Sequence, residues 1–154
     1  MKLNAIPYFI LSLLIIIADQ ISKWWVLNNL TEQITLTPWL NIIFTQNTGV
    51  AFGFLNNTQG WSNTVFSVFA LIVSVILVIW IRRLEKNETL IALALSLILG
   101  GALGNLIDRL WHGYVIDFID FHINAWHFAT FNIADSGISV GVTILIINLI
   151  WQKK

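Results

Sequence analysis

The chain has no cysteine, two prolines, one methionine and only 10% charged residues in 154. Without cysteine there is no disulfide, no thiol nucleophile and no thiolate metal site. Scarce charge against 57% hydrophobic composition excludes an ordinary soluble domain. Three catalytic signatures are also missing. No serine lies in a G-x-S-x-G elbow, Ser22 and Ser136 included. The histidines His112, His122 and His127 lack the H-E-x-x-H spacing of a zinc peptidase. No glycine-rich phosphate loop is present, and no nucleic-acid partner is expected.

What the chain does have is long apolar runs. A bilayer span needs roughly 20 mostly apolar residues, and four stretches qualify: residues 7–27, 61–81, 89–107 and 133–151. They fill about half of the chain, so it reads as one integral membrane domain over residues 1–154. The first run, preceded by Lys2, has some character of a signal peptide. Ala18–Asp19–Gln20 is a poor cleavage site, however, and the apolar character resumes through Ile21, Trp24 and Trp25. A retained helix is the expectation. Lys2, the trio Arg82, Arg83 and Lys86, and the pair Lys153 and Lys154 fall on one side if the runs alternate. The positive-inside rule makes that side cytoplasmic, with both termini inside. Residues 28–60 and 108–132 then face outward.

Pro7 suits a helix start, which puts Asp19 roughly 18 Å further along, in the outer half of the bilayer. Asp19 and Lys23 are spaced to share a helix face. Two readings stand side by side: a structural ion pair, or an aspartate facing an internal polar site. The first outer segment is rich in β-branched residues over residues 33–45, broken by Pro38, and predicts short strands. QNTGVAFGFLNN follows it. Its apolar residues 50–55 suggest a loop that leans on the membrane or clamps an apolar ligand, with Phe52 and Phe54 as the gripping side chains. Packing on the helix bundle is the plainer alternative. Helix 3 ends in GGALGN, whose glycines admit close approach of another helix or of a substrate backbone. Asn105, Asp108 and Arg109 then come to about the depth of Asp19, and helix 4 opens with Asn132 and Asp135. Polar groups from three helices therefore meet in one layer near the outer surface, with Asp117 and Asp120 between two of them. Charge beside lipid is costly and asks for a function.

That layer is rich in carboxylates. Two that approach each other share a proton, because like charge raises one pKa. The ionised member then takes a proton from water while the protonated one donates to a substrate carbonyl. Alternatives remain: a metal site using His122 and His127, or aspartates that only cap helices or pair with Arg109. Asp108 and Arg109 are the expected structural members, and solvation is the plain reading of Asp120.

GNLIDR, VIDFIDF and FNIAD, with QNTGVAF earlier and Asp19 in the first helix, resemble the bacterial lipoprotein signal peptidases (signal peptidase II) over nearly the whole chain. The resemblance implies an all-α membrane protein of four transmembrane helices, with a small β-rich outward segment between helices 1 and 2. It implies an aspartyl endopeptidase of the inner membrane, without cofactor or metal. Its prolipoprotein substrates are cut before a diacylglyceryl-modified cysteine. The family's catalytic motifs map onto Asp117 and Asp135. Supporting roles fall to Asp19, Lys23, Asn47, Gly49, Gly100, Asn105, Asp108, Arg109, Asn132 and Ala134. Membrane lipid as surroundings, inhibition by the cyclic peptide globomycin and a monomeric state are further expectations. Val50 and Ala129 depart from the family's usual alanine and proline, and neither is a catalytic position.

Overall fold

The computed structural model describes residues 1–49 and 59–152, without the side chains of Gln59, Gly60 and Gln152. The apolar residues 50–55, with Phe52 and Phe54, lie outside the described residues. In chain order the elements are α1 (Ile6–Asn29), β1 (Ile34–Thr37), β2 (Leu40–Asn47), α2 (Gln59–Arg83), α3 (Thr89–His112), β3 (Val115–Ile123), β4 (Trp126–His127) and α4 (Ile133–Gln152). Each helix contains one of the four apolar runs, and each is long and apolar enough to cross a membrane.

The helices divide their labour by burial. In α3, 61% of the most apolar window is buried inside the protein, against 22%, 22% and 17% in α1, α2 and α4. So α3 is the central post, and the other three turn exposed apolar faces outward, such as Val65, Phe69, Ile72 and Ile76 of α2. Such faces fit lipid and not water. Glycines let α1 and α4 press against α3. A Cβ on Gly100 would meet the Ser12 carbonyl and Ile15 of α1, each at 2.8 Å, and one on Gly101 would collide with the Ala134 carbonyl of α4. An apolar cluster of Leu77, Ile81, Leu84, Ala92, Leu95 and Leu99 fills one end of the bundle. At that same end Leu3 donates to the Leu84 carbonyl, and Lys2 Nζ donates to that of Arg83.

The other end carries an antiparallel sheet in the order β1-β2-β3-β4. The expected β-rich segment between α1 and α2 supplies β1 and β2. The segment between α3 and α4, read from sequence only as an outer connection, supplies the other two strands. Asn41 pairs with Asp120, Thr45 with Asp117 and Asn47 with Val115, with a register shift between Ile42 and Thr45. Phe131 is bonded to Ile119 in both directions, its N–H to the Ile119 carbonyl and its carbonyl to the Ile119 N–H. This stitch fixes the start of α4 against β3. The two segments that carry Asp135 and Asp117 are thereby made neighbours.

Candidate active site

α4 begins with a reciprocal cap. Asn132 Oδ1 accepts the Asp135 N–H at 2.9 Å, while Asp135 Oδ2 accepts the Asn132 N–H at 3.3 Å. This is a capping box built from Asn and Asp. It aims the Asp135 carboxyl back toward the sheet, and Asn105 of α3 donates to its Oδ1 at 2.7 Å. Asp117 comes from β3 and is 1% exposed. Its Oδ1 accepts from Asn132 Nδ2 at 2.7 Å and its Oδ2 from Asn47 Nδ2 at 2.9 Å. Asn132 also donates to Asn105 Oδ1 at 3.1 Å. Two touching asparagines thus link the two carboxyls, one amide donating to each.

Burial and the negative charge of Asp135 push the Asp117 carboxyl up from 3.8 to about 6, against the opposing pull of hydrogen bonds from Asn47 and Asn132. A carboxyl so placed keeps a proton to a pH well above that of an ordinary aspartate.

Behind this pair lies a charged cluster with almost no exposure. Lys23 Nζ sits 2.8 Å from Asp19 Oδ2, 2.8 Å from Asp108 Oδ2 and 3.0 Å from Asn105 Oδ1. Asp19 and Lys23 therefore form the ion pair their spacing suggested, and Asp19 also faces the internal polar layer. Its Oδ1 accepts the Ala134 N–H at 2.9 Å. Asp108 pairs with Lys23; its Oδ2 also accepts the Ile116 N–H at 3.0 Å. Gly104 is where α3 makes room for this cluster, since a Cβ there would stand 2.7 Å from Asp19 Oδ2. Gly100 belongs to helix packing one turn deeper and not to the network.

Arg109 makes no ion pair with an aspartate among the described residues. Its Nη1 donates to the Asn105 carbonyl at 3.3 Å, and its guanidinium lies 5.6 Å from the centre of the Phe66 ring. Gly49 has φ +78°, a left-handed conformation suited to glycine, and donates its N–H to Asn47 Oδ1 at 2.8 Å. That turn fixes the amide that reaches Asp117. Beside Asp135 an apolar cavity of about 420 Å³ opens, lined by Phe128, Ala129, Phe131, Ser136, Ser139 and Val140.

One expectation needs correction. Asp120 is not a solvated residue: it is 3% exposed, accepts from Asn41 Nδ2 at 2.9 Å and lies 2.8 Å from His127 Nδ1. Burial acts upward on this carboxyl, but the His127 and Asn41 hydrogen bonds outweigh it and hold it below the usual carboxylate range. His122 and His127 stack on each other, with ring centres 5.0 Å apart, and no metal-holding group of His, Asp and Glu is found among the described residues. Sequence reasoning passed over Gln20. Its amide donates to Asp108 at 2.9 Å, to the Gly104 carbonyl at 3.2 Å and to Asp19 at 3.3 Å. An uncharged amide within an apolar helix was the only available signal.

The same architecture is found in known proteins. The family model described as Signal peptidase (SPase) II matches residues 11–151. A lipoprotein signal peptidase of Hydrogenovibrio crunogenus is 45% identical over 152 residues, covering 97% of this chain and 88% of its own length. One from Coxiella burnetii is 47% identical over 149 residues, covering 96% and 91%. Among solved structures, a bacterial membrane enzyme determined at 2.3 Å resolution by the in meso method superposes with a TM-score of 0.87 at 31% identity, over 99% of this chain and 93% of that one. A match across residues 11–151 and relatives at 45% and 47% identity leave one conclusion: the chain belongs to the signal peptidase II family.

Proposed function

We propose that this protein is an endopeptidase that removes the signal peptide from prolipoproteins, cutting before a diacylglyceryl-modified cysteine, with Asp117 and Asp135 as its catalytic pair. The observation that carries this reading is the asparagine bridge. Asn105 and Asn132 donate to Asp135 and Asp117 and hold two acidic groups in one small polar site. Asp135 takes a proton from water as its oxygen bonds to the scissile carbonyl carbon, and Asp117 gives its proton to the carbonyl oxygen. The resulting gem-diol collapses as Asp135 returns its proton to the amide nitrogen and Asp117 takes one back from a gem-diol hydroxyl. The C–N bond then breaks into acid and amine. Water is the only co-reactant, and no covalent intermediate forms.

The site stands where a lipidated substrate presents this bond. The acyl chains of the modified cysteine stay in the outer leaflet while the peptide bond reaches the polar layer. The apolar cavity beside Asp135 suits the non-polar residues of the signal peptide. Asp19, Lys23, Asp108 and Asn47 hold the pair in place. Arg109, at the end of α3 with its Nη1 on the Asn105 carbonyl, adds positive charge near the carboxylates and the developing oxyanion.

The test is gel-shift processing of a model prolipoprotein by purified, detergent-solubilised protein, with and without globomycin. Asp117→Asn and Asp135→Asn should each lower cleavage at least about 100-fold while melting like the parent. Globomycin should block the parent, and a chelator should leave it unaffected. Substantial cleavage by either variant would overturn the pair.

A further inference from the structure

Lys23 is 1% exposed and stands one residue removed from the reacting pair. An ammonium has three hydrogens and no acceptor, and Lys23 has three partners: Asp19, Asp108 and Asn105. Each of these leads to a catalytic position. Asp19 holds the N–H of Ala134, the residue before Asp135. Asp108 holds the N–H of Ile116, the residue before Asp117. Asn105 donates to Asp135 itself.

The amide of Asn105 is the sensitive link, because turned over it would present oxygen to the Asp135 carboxylate. Asn132 does not by itself prevent this. Its Nδ2 carries two hydrogens and has three acceptors, at 2.7 Å on Asp117, 3.1 Å on Asn105 and 3.2 Å on the Ile116 carbonyl. It stays satisfied without Asn105. Asn132 is locked independently, through its own Oδ1, by the Asp135 N–H. Lys23 and Asn132 both donate to the Asn105 oxygen, but only Lys23 would be left with an unpaired hydrogen without it, since its three hydrogens have three acceptors.

We propose that Lys23 is a positioning residue of the catalytic pair, acting through Asn105: its ammonium fixes which way the Asn105 amide faces and so compels it to donate to Asp135. The inference rests on the Asp117–Asp135 reading above. A merely structural Lys23 would tie α1 to α3 and leave the amide indifferent to its presence.

A double-mutant cycle on kcat distinguishes the two roles. Lys23→Met alone would leave two buried carboxylates unpaired, so it is combined with Asp108→Asn. Asp19, Lys23 and Asp108 then carry one net negative charge before and after, and the new amide oxygen still accepts the Ile116 N–H. Asn105→Ala in the parent should lower kcat on the order of tenfold to 100-fold, with KM within about twofold. The Lys23→Met/Asp108→Asn protein, checked for a parent-like melt, should show a similar loss. Adding Asn105→Ala to it should cost less than about threefold more. If Asn105→Ala exacts its full penalty in both backgrounds, Lys23 does not act through the amide and the proposal fails. Asp117→Asn and Asp135→Asn measured alongside keep the failures apart: their inactivity leaves the pair standing, and their activity removes it.

Discussion

Asp117 is held between opposing influences. Burial and the Asp135 charge favour its neutral form, and Asn47 and Asn132 favour the carboxylate, with a balance at about 6. Because Asp117 must donate a proton in the forward step, kcat/KM should fall as pH rises through a limb near that value. The limb belongs to the coupled pair and not to one residue. Asn47→Ala removes a donor that stabilises the carboxylate form, so the limb should move to higher pH even as the rate falls. A profile that stays in place, or moves to lower pH, would show that Asn47 does not act on Asp117. At this scale the sequence was partly legible. Spacing alone suggested that Asp19 and Lys23 meet. Asp117 and Asp135 were separated from the other aspartates only by the family resemblance. The contacts of Gln20 and Asn41 were not legible, because their partners Asp108 and Asp120 lie 88 and 79 residues away, and no local pattern encodes such a contact.

Among the elements, α3 shows how glycine position sets the packing beside the site. At Gly104 a methyl group would stand 2.7 Å from Asp19 Oδ2 and 3.3 Å from the Ala134 Cβ. Gly104→Ala should therefore displace the Asp19 carboxylate from Lys23 and Ala134 and slow cleavage on the order of tenfold to 100-fold. Gly113 ends α3 with φ +81° and open space around it. Gly113→Ala should cost about 1 kcal/mol of stability through left-handed strain and leave cleavage rates at the parent's level. Equal effects of the two on kcat would remove the argument that Gly104 works through Asp19. β3 was the element the sequence concealed. Val115–Phe118 is buried on both faces, so the alternation that marks a half-buried strand is lost. Its acidic residues also read as an exposed connection. Asp120, one of them, instead fastens β2 and β4 to β3. With its carboxyl held below the usual range, that fastening persists above about pH 4 and is lost only as acid reaches the lowered value.

Over the whole molecule the two ends of the bundle differ in kind. One end holds the carboxylates, the amides and the sheet. The other holds the apolar cluster and, where the N-terminal segment meets the α2–α3 turn, Lys2, Arg82, Arg83 and Lys86. Length and hydropathy made the four helices legible because lipid leaves few alternatives to a long apolar helix. Counting basic residues then suggested an orientation, since such residues are retained on the cytoplasmic side. The structure adds that the basic groups of the N-terminus and the α2–α3 turn lie together, joined by the Lys86 N–H to the Met1 carbonyl and by Lys2 to Arg83. They therefore share one end of the bundle. A chain with no cysteine permits a direct check by single replacements. Ala125, exposed in the turn between β3 and β4, and Asn87, exposed between α2 and α3, each accept a cysteine without disturbing a described side-chain contact. In intact cells a membrane-impermeant maleimide should label Ala125→Cys at once, and Asn87→Cys only after permeabilisation. The opposite pattern would turn the protein over and place the aspartates on the cytoplasmic side, where an outer-leaflet lipoprotein substrate could not present its cleavage site.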